Sequence, residues 1–195
     1  IPNLAQGISY SEQGLRNYFS EKKDNFEKRV QKCPPGAFRW ISWIILSGLP
    51  ISRSAVYYTN LLTYDLPETI EKKIICDIKQ TIQERYPLIK EVRWSMYRVL
   101  KALANIDNEL GYVKGMNFIV AYLLVISNRN EIDTFYFMMT LFSNTFSNKF
   151  GMRGFYLTDH PLTNVCTKIF EKHLLKIYPE IYEHFQEINF SPLSW

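Results

Sequence analysis

Two stretches of the sequence place polar residues where they can be presented to a partner: KIICDIKQT, Lys73 to Thr81, and GYVKGMN, Gly111 to Asn117. In the longer segment that contains the first, isoleucines at 70, 74, 78 and 82 recur every four residues, with Ile75 beside them, and mark the core face of a helix. At about 100° per residue, Lys73, Asp77, Gln80 and Glu84 gather on a different, outward face. Asp77 stands one turn before Gln80 and Thr81, where its carboxylate can accept hydrogen bonds and hold the end of the segment. In the second stretch, Gly111 and Gly115 suit a turn that brings backbone close to a partner or starts a helix tightly against its neighbour, and Lys114 is displayed at its centre. Tyr112 and Met116 are expected to pack, and Asn117 to tie down the local backbone. The displayed chemistry is one neutral amide, able to give and accept hydrogen bonds, and one ammonium with donors only.

Other chemistry is thin. His160, His173 and His184 stand far apart, and the chain contains no H-E-x-x-H, no G-x-S-x-G and no G-x-x-x-x-G-K. Cys33, Cys76 and Cys166 are odd in number and lack C-x-x-C spacing, which argues against a disulfide framework or a structural zinc site and fits a reducing, cytoplasmic setting. The expectation is no metal site.

Composition sets the outer limits. A chain of 195 residues, 47% hydrophobic and 22% charged, matches one globular domain with a sizeable core. The net charge of +4 is spread along the chain and makes no nucleic-acid footprint. No apolar run approaches the roughly twenty residues of a membrane span, so direct membrane insertion is not expected. The first residue is Ile1 and the last, Trp195, falls in mid-pattern, which reads as part of a longer polypeptide.

The elements that must position these residues are helices throughout. Pro35 to Ser47 carries proline at its start and Gly48-Leu49-Pro50 as its stop. Ser52 is the expected cap of the next helix, and Pro67 opens the isoleucine-striped one. Val92, Met96, Val99, Leu100, Leu103 and Ile106 form a further amphipathic stripe. The runs NFIVAYLLVIS and IDTFYFMMTLF are expected to be central helices, and a last pair splits at Pro179. The fold class is all-α, with a helical extension over residues 1–33 ahead of the main domain at 34–195.

Four motifs in order give the sequence a family resemblance. Arg39 and Trp43, after Pro34-Pro35-Gly36, are similar to an opening R-x-x-x-W helix; Ile74 to Thr81 resembles I-x-x-D-x-x-R-T, with Gln80 in place of arginine. Tyr97-Arg98-Val99-Leu100 followed by Gly111 to Asn117 resembles R-V-L leading into G-Y-x-Q-G-M-N, with Lys114 in place of glutamine; Phe190 to Trp195 resembles the approach to a mid-domain tryptophan. Together these resemble the N-terminal part of the TBC domain, the multi-helix domain of Rab GTPase-activating proteins, from about Pro34 to the end.

The resemblance implies a Rab-type small GTPase as partner, a cytoplasmic location with peripheral attachment to endomembranes through that partner, and no cofactor of the chain's own, GTP and magnesium belonging to the GTPase. It implies that the two substituted positions are those of the fingers inserted into the GTPase site, where arginine neutralises charge on the transferring phosphoryl group and glutamine orients the attacking water. Asp77, Thr81, Tyr112, Gly115 and Asn117 would support them at the binding edge, and Arg39 and Trp43 would be structural. Gln80 brings no charge and Lys114 brings no acceptor, so the first reading is a GTPase-binding domain with weak or no stimulating activity. The second is an active stimulator with swapped roles, Lys114 supplying charge and Gln80 positioning water. The third is a helical scaffold for other protein partners, self-association included.

Overall fold

A computed structural model describes residues 12–81, 92–143 and 151–190. Among them the regular structure is helical: α1 (Glu12–Glu21), α2 (Lys23–Gln31), α3 (Gly36–Leu46), α4 (Ala55–Leu62), α5 (Glu68–Thr81), α6 (Arg93–Ile106), α7 (Met116–Ile126), α8 (Glu131–Phe142), a 3-10 turn (Arg153–Phe155), α9 (Pro161–Ile177) and α10 (Pro179–Glu187). Ile82, Glu84 and the Ser191 to Trp195 part of the last motif lie outside the described residues. The chain divides into two compact units, 1–141 and 142–195.

In the first unit, Leu15 of α1, Phe26 of α2 and Ile45 of α3 form one buried cluster, so the N-terminal helices are packed onto the hydrophobic helix that follows them. Arg53 reinforces this join. It contacts Glu12 at 2.7 Å and Asp133 at 2.5 Å, linking the starts of α1 and α8 through the segment ahead of α4. Gly48, at φ +76°, ends α3 in a conformation that glycine adopts without steric cost.

The cap of α4 is Ser54, not Ser52: the Ser54 hydroxyl accepts from the Tyr57 amide at 3.1 Å. The long-range contacts of Arg53 hold the chain ahead of it, and Tyr136 clasps Ser54, accepting from its amide at 3.1 Å and donating to its carbonyl at 3.2 Å.

α5 buries Ile74 and Ile78 against α6 and α7, as its period requires, but Ile75 is 40% exposed. It lies 100° around the helix from Ile74, and that rotation carries it off the contact face. α6 buries Met96, Val99, Leu100 and Leu103 on the expected stripe, with Val92 buried just ahead of it, and Ile106 is only half-buried. Asn105 of α6 donates to the carbonyls of Leu61 and Tyr64, at 2.9 and 3.1 Å, capping the end of α4. Phe135 and Met138 place α8 in the core. α7 is central on one side only: Val120 and Leu124 are fully buried, whereas Phe118, Tyr122 and Val125 are exposed. Glu131 closes a polar cluster inside this unit, accepting from Arg98 at 2.9 Å and from Tyr58 at 2.8 Å.

In the second unit, α9 packs against α10, and proline at the first position of each helix sets its start. Phe142 meets Tyr156 edge to face at 5.0 Å. Gly154 is needed for space, since a Cβ there would lie 2.8 Å from the Leu162 Cβ.

Candidate functional site

The end of α5 and the start of α7 are joined by a chain of hydrogen bonds. Thr81 turns its hydroxyl back along its own helix and donates to the Asp77 carbonyl at 2.7 Å. The same oxygen accepts from Asn117 Nδ2 at 2.6 Å, and Asn117 Oδ1 accepts from the Gly115 amide at 2.8 Å. Tyr112 completes the connection by donating its hydroxyl to Asp77 Oδ2 at 2.7 Å. Asn117 is 1% exposed, so its amide spends both of its functions inside the protein. Burial, and then the bond to Asp77, push the Tyr112 phenol far above the ordinary tyrosine range.

Local sequence explains why the loop takes this shape. Asp107 Oδ1 accepts from the Leu110 amide at 3.0 Å and its carbonyl accepts from Gly111 at 2.7 Å, which reverses the chain after α6. Gly111 follows at φ +57°, and Gly115, at φ +106°, is the residue ahead of α7. Neither conformation suits a residue with a Cβ. Between the glycines, Lys114 is exposed.

Asp77, Thr81, Tyr112, Gly115 and Asn117 are thus brought together as one framework. Gln80 and Lys114 are exposed and take no part in it. Gln80 lies along its own helix, with Nε2 3.7 Å from Cys76 Sγ. Asp77 departs from the outward placement expected of it: it is half-buried, because Tyr112 covers its carboxylate. Tyr112 is more than a packing residue for the same reason. Asn117 does tie down local backbone, and it also reaches across to Thr81. Arg39 and Trp43 lie elsewhere, on α3. Trp43 meets Tyr122 of α7 at 6.2 Å, and Arg39 Nη2 lies 3.4 Å from Cys33 Sγ while its Nε is buried without a partner.

Sequence reasoning passed over Glu71. Glu71 accepts from Tyr97 of α6, one flank around α5 from Asp77. A carboxylate on each side of a helix, each with a tyrosine in the segments that follow, was the available signal. Among the described residues no group of three or more His, Cys, Asp or Glu could hold a metal ion, and no helix is long and apolar enough to cross a membrane.

An all-helical unit whose α5 and pre-α7 loop are bonded through the D-x-x-Q-T and G-Y-x-x-G-M-N residues defines a TBC-type domain, and the comparisons agree. Residues 36–195 match the Rab-GTPase-TBC domain family, and the chain belongs to it. It is 32% identical over 158 residues to the GTPase-activating protein GYP5 of Eremothecium gossypii, an alignment covering 81% of this chain and 18% of that protein. It is 30% identical to human growth hormone-regulated TBC protein 1, over 59% of this chain and 36% of the relative. The chain therefore spans about a fifth to a third of the length of these relatives. The crystal structure of a Chlamydomonas flagellar RabGAP TBC domain shares the fold at a TM-score of 0.69 and 24% identity, covering 92% of this chain and 62% of that one.

Proposed function

We propose that this domain docks a Rab-type small GTPase on the edge formed by α5 and the Gly111 to Asn117 loop, and leaves GTP hydrolysis near its unstimulated rate. One observation carries the reading: the framework Asp77, Thr81, Tyr112, Asn117 is complete, while the side chains it leaves exposed are Gln80 and Lys114. In the resembled motifs those two positions hold arginine and glutamine. An arginine finger accelerates hydrolysis by roughly 10³ to 10⁵, which corresponds to about 4–7 kcal/mol of transition-state stabilisation. A neutral amide at position 80 supplies none of the charge in that figure, and an ammonium at position 114 has no lone pair with which to accept from the attacking water. GTP and magnesium belong to the partner, and attachment to endomembranes comes through it.

The test is GTP hydrolysis by a panel of Rab proteins with and without the domain, beside pull-down of the same panel in GTP-bound and GDP-bound forms. Binding of the GTP form with turnover left at its basal rate is the expected result. Acceleration by orders of magnitude, abolished by Lys114→Ala or Gln80→Ala, refutes the reading and establishes instead that the finger roles are exchanged between the two positions. In that case Gln80→Arg with Lys114→Gln changes the rate little.

A further inference from the structure

The outer face of α5 segregates its charges. From Lys72 onward the exposed residues of the helix are Lys72, Lys73, Ile75, Cys76, Lys79 and Gln80, with no carboxylate among them. The acids of this part of the helix, Glu71 and Asp77, sit on its two flanks and accept from Tyr97 and Tyr112. Lys72 is paired with Glu68 one turn earlier, at 2.5 Å. Lys73 and Lys79 form no ion pair among the described residues, and neither does Lys114, in the loop that Tyr112 fastens to the same helix. The +4 of the whole chain looks evenly spread along the sequence, yet among the described residues Lys73 and Lys79 on the exposed side of α5, and Lys114 in the loop fastened to its Asp77 flank, are three exposed cations without an ion pair.

We infer that this edge is an electropositive docking surface for an acidic protein surface, and that it selects, among small GTPases, those presenting carboxylates around the nucleotide site. The inference rests on the GTPase reading above and adds the chemistry by which the partner is chosen. A few uncompensated charges on a rigid helix set association rate and partner choice between proteins more than they set affinity, because the opposed potentials steer the encounter and like charges are repelled. Anionic membranes and nucleic acids are poorer matches. Lipid recognition uses clusters of about four to eight basic residues, and here Ile75, Cys76 and Gln80 interrupt the lysines.

The experiment uses Lys73→Glu with Lys79→Glu, leaving Gln80 and Lys114 in place, and Lys168→Glu with Lys172→Glu on exposed α9 as the control. Association of each variant with the Rab panel, loaded with a GTP analogue, is followed at 50 and 300 mM KCl. The α5 variant is expected to associate at least tenfold more slowly at low salt and to lose most of the salt dependence, the α9 variant to behave as the parent. If the charge reversal disturbs folding, Lys73→Gln with Lys79→Gln gives the same comparison at smaller amplitude. A GTPase that binds equally well at both salt concentrations and to both variants overturns the docking inference and leaves the GTPase reading intact.

A second probe needs no GTPase. Polyglutamate is titrated into the domain and amide chemical shifts are followed; changes centred on Lys73, Lys79 and Lys114 support the edge even where no Rab binds, in which case only the GTPase reading fails. Changes centred on α9, or binding of phosphatidylserine vesicles that the α5 variant abolishes, overturn the inference.

Discussion

Asn117 is the residue whose removal most directly tests the bonded framework. Asn117→Ala deletes an acceptor for the Gly115 amide and a donor to the Thr81 hydroxyl, at 2.8 and 2.6 Å. The Thr81 hydroxyl keeps its bond to the Asp77 carbonyl, so its loss is an ordinary hydrogen bond, about 1 kcal/mol, whereas the Gly115 N–H is left orphaned at about 1–3 kcal/mol. Little apolar area is removed, so the sum is about 2–4 kcal/mol. For a chain of this size that lowers the melting temperature by roughly 5–15 °C. Urea unfolding with an unchanged m-value measures the free energy, and circular dichroism the midpoint. Thr81→Val gives the second corner of a double-mutant cycle, in which the coupling with Asn117→Ala is expected near 1 kcal/mol because the two side chains touch. A loss below about 0.5 kcal/mol, the range of an ordinary surface change, or strict additivity in the cycle, refutes the claim that these bonds hold the edge together.

Ser54→Ala is expected to destabilise by about 1 kcal/mol through loss of the α4 cap, while Ser52→Ala stays within about 0.5 kcal/mol; chemical denaturation of the two separates them. At high pH, Tyr58, Tyr97 and Tyr112 are all held protonated by burial first and by their carboxylate partners next, Tyr97 pushed up to about 12. Unfolded tyrosine releases its proton near pH 10, so above that value the folded state binds more protons and stability falls as pH rises; Tyr112→Phe should flatten the decline in a pH series of melting temperatures. At low pH the sign reverses. The Arg53 hydrogen bond holds Glu12 below the usual carboxylate range, and at Glu131 the bonds from Arg98, Ser95 and Tyr58 outweigh burial with the same result. Stability is therefore present above about pH 4 and lost as pH falls through the folded values, and Glu131→Gln should make the acid limb of the same series shallower.

The helices were legible in the sequence because their contact faces repeat: Ile74 and Ile78, or Met96, Val99, Leu100 and Leu103, are fixed by period alone. What escaped depends on partners distant in the chain. Ile75 looked like core by adjacency, although a helix turns 100° between neighbours. Ser54 rather than Ser52 caps α4 because Arg53 is claimed by Glu12 and Asp133, one of them 41 residues earlier in the sequence. Phe118 and Tyr122 belong to an all-apolar run whose composition cannot say which side of α7 is covered. Asp77 pointed outward on the wheel, and only the fold brings Tyr112 over it, from 35 residues away.

The division between framework and displayed residues bears on how such an edge changes. The bonds that fasten α5 to the loop and to the start of α7 run through Asp77, Thr81, Tyr112, Gly115 and Asn117, and among them none runs through Gln80 or Lys114. Those two side chains are exposed, so exchanging them leaves packing and buried hydrogen bonding untouched, a change normally within about 0.5 kcal/mol of stability. The same exchange removes several kcal/mol of transition-state stabilisation in the resembled chemistry. Stability therefore places little constraint on positions 80 and 114, while it constrains Asp77, Thr81, Tyr112 and Asn117 strongly. Under the proposed function, the edge keeps its shape and its exposed lysines on α5 whichever side chains stand at positions 80 and 114.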